Sequence, residues 1–163
     1  MKITVATKTQ AEKIIREYAD MIFRIALQNL KSKADAEDIL QDVSLALLTK
    51  DAPLYDEVHI KPWIIRVTIN KCKNHHKAYF NVKTEPLSDH LNLCEEENMN
   101  LLEDIFSLPK NYRNALYLFY YEGYSIDEIA KIMDKKPSTV GSWLFRARNK
   151  LKNIILDGGN SDE

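Results

Sequence analysis

Ser142, Phe145, Arg146 and Asn149 share one side of a helical wheel, and Val140, Leu144, Ala147 and Leu151 share the other, when the chain advances about 100 degrees per residue. A short helix with an apolar back and a polar, arginine-bearing front suits the major groove of DNA, where side chains meet base edges and phosphates. The same front could be a solvated helix face, and on this segment alone both readings stay open. A second group lies between Asn70 and Lys77, where Lys71, Lys73, Asn74, His75 and His76 stand close together. An Asn offers both a donor and an acceptor to a base edge, and the cations around it can neutralise phosphates; the alternative is a solvated basic turn. Cys72, His75, His76 and distant Cys94 lack a familiar zinc spacing, so no metal is expected. No nucleophile–base pair, phosphate loop or carboxylate constellation suggests an enzyme, and no cofactor is expected.

The elements that would position these groups are helical. Ser125 and Glu128 have the S-x-x-E spacing of a capping box, so a helix should start there, with Ile126, Ile129, Ala130 and Met133 on its apolar face. Pro137 disfavours helical geometry in the residue before it, which predicts a break over Asp134–Pro137 and a second helix opening near Ser138. That pair reads as a helix-turn-helix. Upstream, Ile14, Tyr18, Ile22, Ala26 and Leu30 predict a helix over 10–30. Ser32 and Asp35 are candidate starting residues for the next, which turns Ile39, Leu40, Val43 and Leu47 inward. Pro62 suits the first position of a third helix, holding Trp63, Ile64, Val67 and Ile69, followed by a polar loop from Asn70. Pro109 should open another helix that buries Tyr112, Leu116 and Phe119, with Gly123 as its stop.

Composition agrees with an all-α chain. Gly and Pro number four and five in 163 residues, and strand-like alternation is almost missing. A formal net charge of −1 looks wrong for a nucleic-acid binder, but charge is segregated along the chain. Residues 58–84 carry six basic residues and no acid; residues 85–109 carry seven acids and no Lys or Arg; residues 131–152 carry seven cations against Asp134. The organisation this predicts is two small helical domains joined by an acidic flexible linker: 1–80, a linker over 81–100, a helix-turn-helix domain over 101–156 and a tail over 157–163. There is no secretory signal and no apolar run near the ~20 residues that span a bilayer. Two cysteines without a framework fit a reducing cytoplasm.

Four ordered stretches then carry a resemblance. They are YADMIFRIALQNL from Tyr18, DAEDILQDVSLALL from Asp35, KPWIIRVTINKCKNH from Lys61, and LPKNYRNALYLFYYEGYSIDEIAKIM from Leu108 with the helix-turn-helix after it. In this order they resemble an extracytoplasmic-function (ECF) sigma factor of the sigma-70 family, the bacterial subunits that give RNA polymerase its promoter specificity. The resemblance implies that Asp38, Gln41, Asp42 and Leu45 dock on core RNA polymerase. It implies that Arg66, Asn70, Lys71, Lys73, Asn74, His75, His76 and Lys77 capture the single-stranded −10 element, with Asn70 nearest the flipped base. It further implies that Ser138, Thr139, Ser142, Trp143, Phe145, Arg146 and Arg148 meet the duplex −35 element. An anti-sigma factor is common in the family and is an expected partner; direct membrane insertion is not expected. Gly141 and Trp143 depart from the family, standing where relatives commonly have cations. In the family the linker threads toward the polymerase's RNA channel, where Glu95-Glu96-Glu97 could imitate a phosphate path. The runner-up is a free-standing helix-turn-helix regulator, which would need neither DAEDILQDV nor the basic Asn70 segment. A helical interaction protein is a third reading.

Overall fold

The computed structural model describes residues 5–49, 57–78 and 104–159, with side chains described over 8–49, 59–75 and 104–154. Every regular element among them is helical. The chain divides into two compact units, 1–85 and 86–163. The expected linker over 81–100 lies outside the described residues.

The first unit is built from α1 (Val5–Leu30), α2 (Lys33–Thr49) and α3 (Glu57–Ala78), each packed on the other two. The connection between α1 and α2 is only Lys31 and Ser32. Lys31 adopts a left-handed φ of 54° and its N–H returns to the Leu27 carbonyl at 2.8 Å, closing α1. Ser32 caps α2 by accepting the Asp35 N–H at 3.2 Å. Ser32 is therefore the starting residue, and Asp35 sits in the first turn, where a carboxylate favours the positive helix end. The core is Ile14, Met21, Ile22, Ile25, Ala26 and Leu30 against Ala36, Ile39, Val43 and Leu47, closed by Ile60, Ile64, Ile65, Ile69 and Cys72. Leu40, Tyr18, Trp63 and Val67 are half-buried at its edge. Thr68 is fully buried, and its hydroxyl donates to the Ile64 carbonyl at 2.7 Å, so no polar atom there goes unpaired.

Two expectations for α3 need correction. The helix starts at Glu57, and Pro62 lies inside it. Pro62 sits in the second turn, where its missing N–H removes one early helical bond, while buried Ile60 anchors the added turn to the core. The helix also continues to Ala78. The polar Asn70 segment is therefore helix rather than loop, and its side chains are spaced by helical geometry.

In the second unit, α4 (Lys110–Leu116) starts after Pro109 and widens into a π-turn over Tyr117–Tyr121. Glu122 N–H reaches the Tyr117 carbonyl at 3.1 Å, and Gly123 stops the helix with φ 76°. Buried here are Ala115, Leu116 and Leu118, with Tyr112 and Phe119 only half-buried. Arg113 is unexpectedly 4% exposed. Its guanidinium donates to the carbonyls of Phe106 (3.1 Å) and Leu108, and so ties the preceding turn onto α4. Burial pushes the Arg113 pKa down from its ordinary value.

Helix α5 (Ile126–Met133) opens with the expected capping box: Ser125 accepts the Glu128 N–H at 3.2 Å, and the Glu128 carboxylate reaches back to the Ser125 N–H at 3.4 Å. Ile129, Ala130, Ile132 and Met133 are buried, while Ile126 is half-buried. The stop is set by Asp134, not by Pro137. Asp134 takes a left-handed conformation (φ 53°, ψ 53°) that a short polar side chain tolerates, and Lys135 N–H then returns to the Ala130 carbonyl at 2.9 Å. Pro137 instead begins α6 (Pro137–Gly159), whose Val140, Leu144 and Ala147 are buried. This helix runs to Gly159, past the expected end at 156.

Candidate nucleic-acid interface

The front of α6 is as the wheel predicts. Ser138, Ser142, Phe145, Arg146 and Asn149 are exposed, and Thr139 and Trp143 are half-buried at one flank. Phe145 is 65% exposed on this front. The helix start offers few free N–H donors to a phosphate. Pro137 has no N–H, and the Thr139 N–H is given to the Lys136 carbonyl at 3.0 Å. Positive charge there comes instead from exposed Lys135 and Lys136, which with Asp134 and Thr139 line an open groove beside the helix start. These two lysines were not among the expected residues, although a Lys-Lys pair directly before the helix was a readable signal.

Arg148 differs from Arg146. Its Nε donates to the Tyr120 hydroxyl at 2.6 Å, and its guanidinium carbon lies 5.5 Å from the ring centroids of both Phe119 and Tyr120. On the opposite flank, Lys150 lies 5.5 Å over the Tyr112 ring. Cation–π contacts of this kind fix long side chains without consuming their charge. Gly141 has open space where a Cβ would project.

In the first unit, Arg66, Asn70, Lys73 and Asn74 are exposed on α3, with Lys71 half-buried. Arg66, Asn70 and Lys73 recur at i, i+4 and i+7, so they form one stripe along the helix. His75 does not join them: its Nε2 lies 3.2 Å from Asp35 Oδ1 and its side chain is 12% exposed. His76 and Lys77 fall in the last turn, and their side chains lie outside the described residues. On α2, Asp38, Gln41, Asp42 and Leu45 are all exposed, opposite buried Ile39, Val43 and Leu47. Leu45 is 58% exposed amid acids, a combination suited to a partner that is both basic and apolar. Cys72 is a buried thiol packed in the core. Among the described residues no three His, Cys, Asp or Glu side chains gather to hold a metal, and no helix is long and apolar enough to cross a membrane.

Known proteins agree with this layout. The family description "Sigma-70 region 2" matches residues 14–79, and "Sigma-70, region 4" matches residues 101–151. The ECF RNA polymerase sigma factor SigM of Bacillus subtilis is 27% identical over 161 residues, covering 93% of this chain and 98% of its own. RNA polymerase sigma factor SigZ of the same organism is 30% identical over 126 residues, covering 73% and 72%. Among solved structures, the sigma factor RpoE in complex with the anti-sigma factor NepR from Bartonella quintana has a TM-score of 0.72 at 19% identity, covering 88% of this chain and 95% of that one. The fold and the two matched regions define a sigma subunit of RNA polymerase. The chain belongs to the sigma-70 family and is of the ECF type, whose general role is to bind core polymerase and recognise promoters.

Proposed function

We propose how that role is divided among these residues. The exposed stripe Asp38, Gln41, Asp42 and Leu45 docks on core polymerase. The α3 stripe of Arg66, Asn70 and Lys73, flanked by Lys71 and Asn74, holds the unpaired −10 strand. Asn70 meets an extruded base, recovering part of the few kcal/mol that unstacking costs. On α6, Ser142, Phe145, Arg146 and Asn149 read the −35 duplex, with Ser138, Thr139 and Trp143 at the margins and Lys135 and Lys136 adding phosphate contacts. The domain assignment is 1–80 for polymerase and −10, 81–100 for the linker and 101–159 for −35. The chain works in the cytoplasm as a non-catalytic subunit; opening the promoter needs no covalent step of its own. An anti-sigma factor is a proposed partner, supported by sigma factors of similar fold having been solved with one, RpoE with NepR and CnrH with the cytosolic domain of CnrY.

The observation that carries this reading is the α3 stripe. A regulator that binds only duplex DNA has no use for an exposed Asn between cations on a helix remote in sequence from its helix-turn-helix. Potassium permanganate footprinting tests it. With core polymerase and this chain, thymines of the −10 element should become reactive, and Asn70→Ala should remove that reactivity while leaving polymerase binding intact. Unchanged reactivity in Asn70→Ala contradicts the assignment.

A further inference from the structure

We infer that Tyr120 is a positioning residue for DNA recognition: it holds Arg148 ready to clamp a phosphate on one wall of the groove that α6 enters. The inference rests on the proposed placement of α6 on the duplex and extends it to a side chain from a different element.

Three features support it. Arg148 lies about 100 degrees round α6 from Asn149, on the flank of the exposed front rather than at its centre. A helix seated in the major groove turns its centre to base edges and its flanks to the sugar–phosphate walls, where contacts fix register. Along this flank Gly141 comes two turns earlier and offers no side chain, so Arg148 is the first cation the wall would meet. The second feature is the state of its guanidinium. Of its five N–H donors, Nε–H is taken by the Tyr120 hydroxyl at 2.6 Å, and the guanidinium carbon lies 5.5 Å from the ring centroids of Phe119 and Tyr120. Those rings meet edge to face at 5.0 Å. The terminal fork keeps the geometry that pairs with two phosphate oxygens, and Arg148 remains exposed.

The third feature is where Tyr120 comes from. It lies in the π-turn Tyr117–Tyr121, and wide turns of this kind re-aim side chains and gather at functional places. Tyr120 is itself 61% exposed, so its bond to Arg148 does little to shield the core. An arginine fixed before binding loses less rotamer freedom when phosphate arrives.

The test uses holoenzyme assembled from core polymerase and the full chain, with the duplex that the wild-type holoenzyme enriches from a random pool. Affinity is measured across a salt series for wild type, Tyr120→Phe, Arg148→Ala, Arg148→Lys and the Tyr120→Phe/Arg148→Ala pair. Arg148→Ala should lower the slope of log affinity against log salt by about one, the signature of one lost phosphate contact. Tyr120→Phe should keep the slope and weaken binding by roughly two- to tenfold. Arg148→Lys should keep the slope but lose the fork. In the Arg148→Ala background, Tyr120→Phe should have no further effect. A purely structural bond would shift the thermal midpoint and leave the salt slope unmoved in Arg148→Ala, and that result overturns the proposal. Equal weakening by Tyr120→Phe with and without Arg148 also overturns it. Failure of the wild type to enrich any duplex removes the placement of α6 on DNA, and this inference with it.

Discussion

Asp35 Oδ1 lies 3.2 Å from His75 Nε2, joining the first turn of α2 to the last turn of α3. The contact is close, but it lacks the geometry of a hydrogen bond at that nitrogen. It links α2 to the end of α3, and it withdraws His75 from the cations proposed to grip DNA. Part-exposed pairs of this kind contribute up to about 1 kcal/mol. His75→Ala should therefore lower the thermal midpoint by a few degrees, and the His75→Ala/Asp35→Ala pair should lose less than the sum of the two single variants. Additive losses in the double variant would show that the two side chains do not interact.

Gly141 offers a gain rather than a loss. It lies within the second turn of α6, and a Cβ there meets no atom within 4 Å. Gly141→Ala should stabilise the chain by about 1 kcal/mol, read by denaturant titration. Gly141→Lys should in addition tighten duplex binding and steepen its salt dependence by about one phosphate equivalent. Unchanged affinity at low salt would place this face of the helix away from DNA.

Arg113 should be intolerant of substitution. Its guanidinium satisfies the carbonyls of Phe106 and Leu108 from inside the fold, and Arg113→Met leaves both without that donor. A loss of about 2–3 kcal/mol is expected, and Arg113→Lys should recover part of it, because both bonds come from the single Nη1 and an ammonium also carries several donors. Chemical denaturation of the two variants measures it; a loss under 0.5 kcal/mol, a surface-like effect, would contradict the structural role.

Leu45 separates docking from folding. At 58% exposure it contributes little to the core, so Leu45→Asp should leave the thermal midpoint within about a degree or two. Affinity for core polymerase should nevertheless fall by about tenfold or more, as for a buried apolar anchor of an interface. Fluorescence anisotropy of the labelled wild type and Leu45→Asp against core enzyme would read the difference, and equal affinities would contradict the docking role.

The sequence was most informative where one local rule acts alone. Ser125 and Glu128 make the capping box their spacing predicts, and the α6 wheel separates buried Val140, Leu144 and Ala147 from exposed Ser142 and Arg146. It misled where tertiary packing competes. Pro62 reads as a helix start, yet burial of Ile60 extends α3 an additional turn and more. Pro137 reads as the stop of α5, yet Asp134 ends that helix by turning left-handed. Arg148 and His75 read as free cations, and only three-dimensional proximity brings Tyr120 to one and Asp35 to the other. Arg113 lies in a stretch whose helical period gives no sign that its charged end turns inward.

The central claim is that this chain makes core RNA polymerase selective for particular promoters. Run-off transcription with purified core enzyme over a fragment library of genomic DNA measures that directly, with and without the chain. The account predicts discrete transcripts that appear only when the chain is added and share upstream and −10 sequence elements. Identical transcript profiles in both reactions, with no complex between the chain and core enzyme on a sizing column, would contradict it.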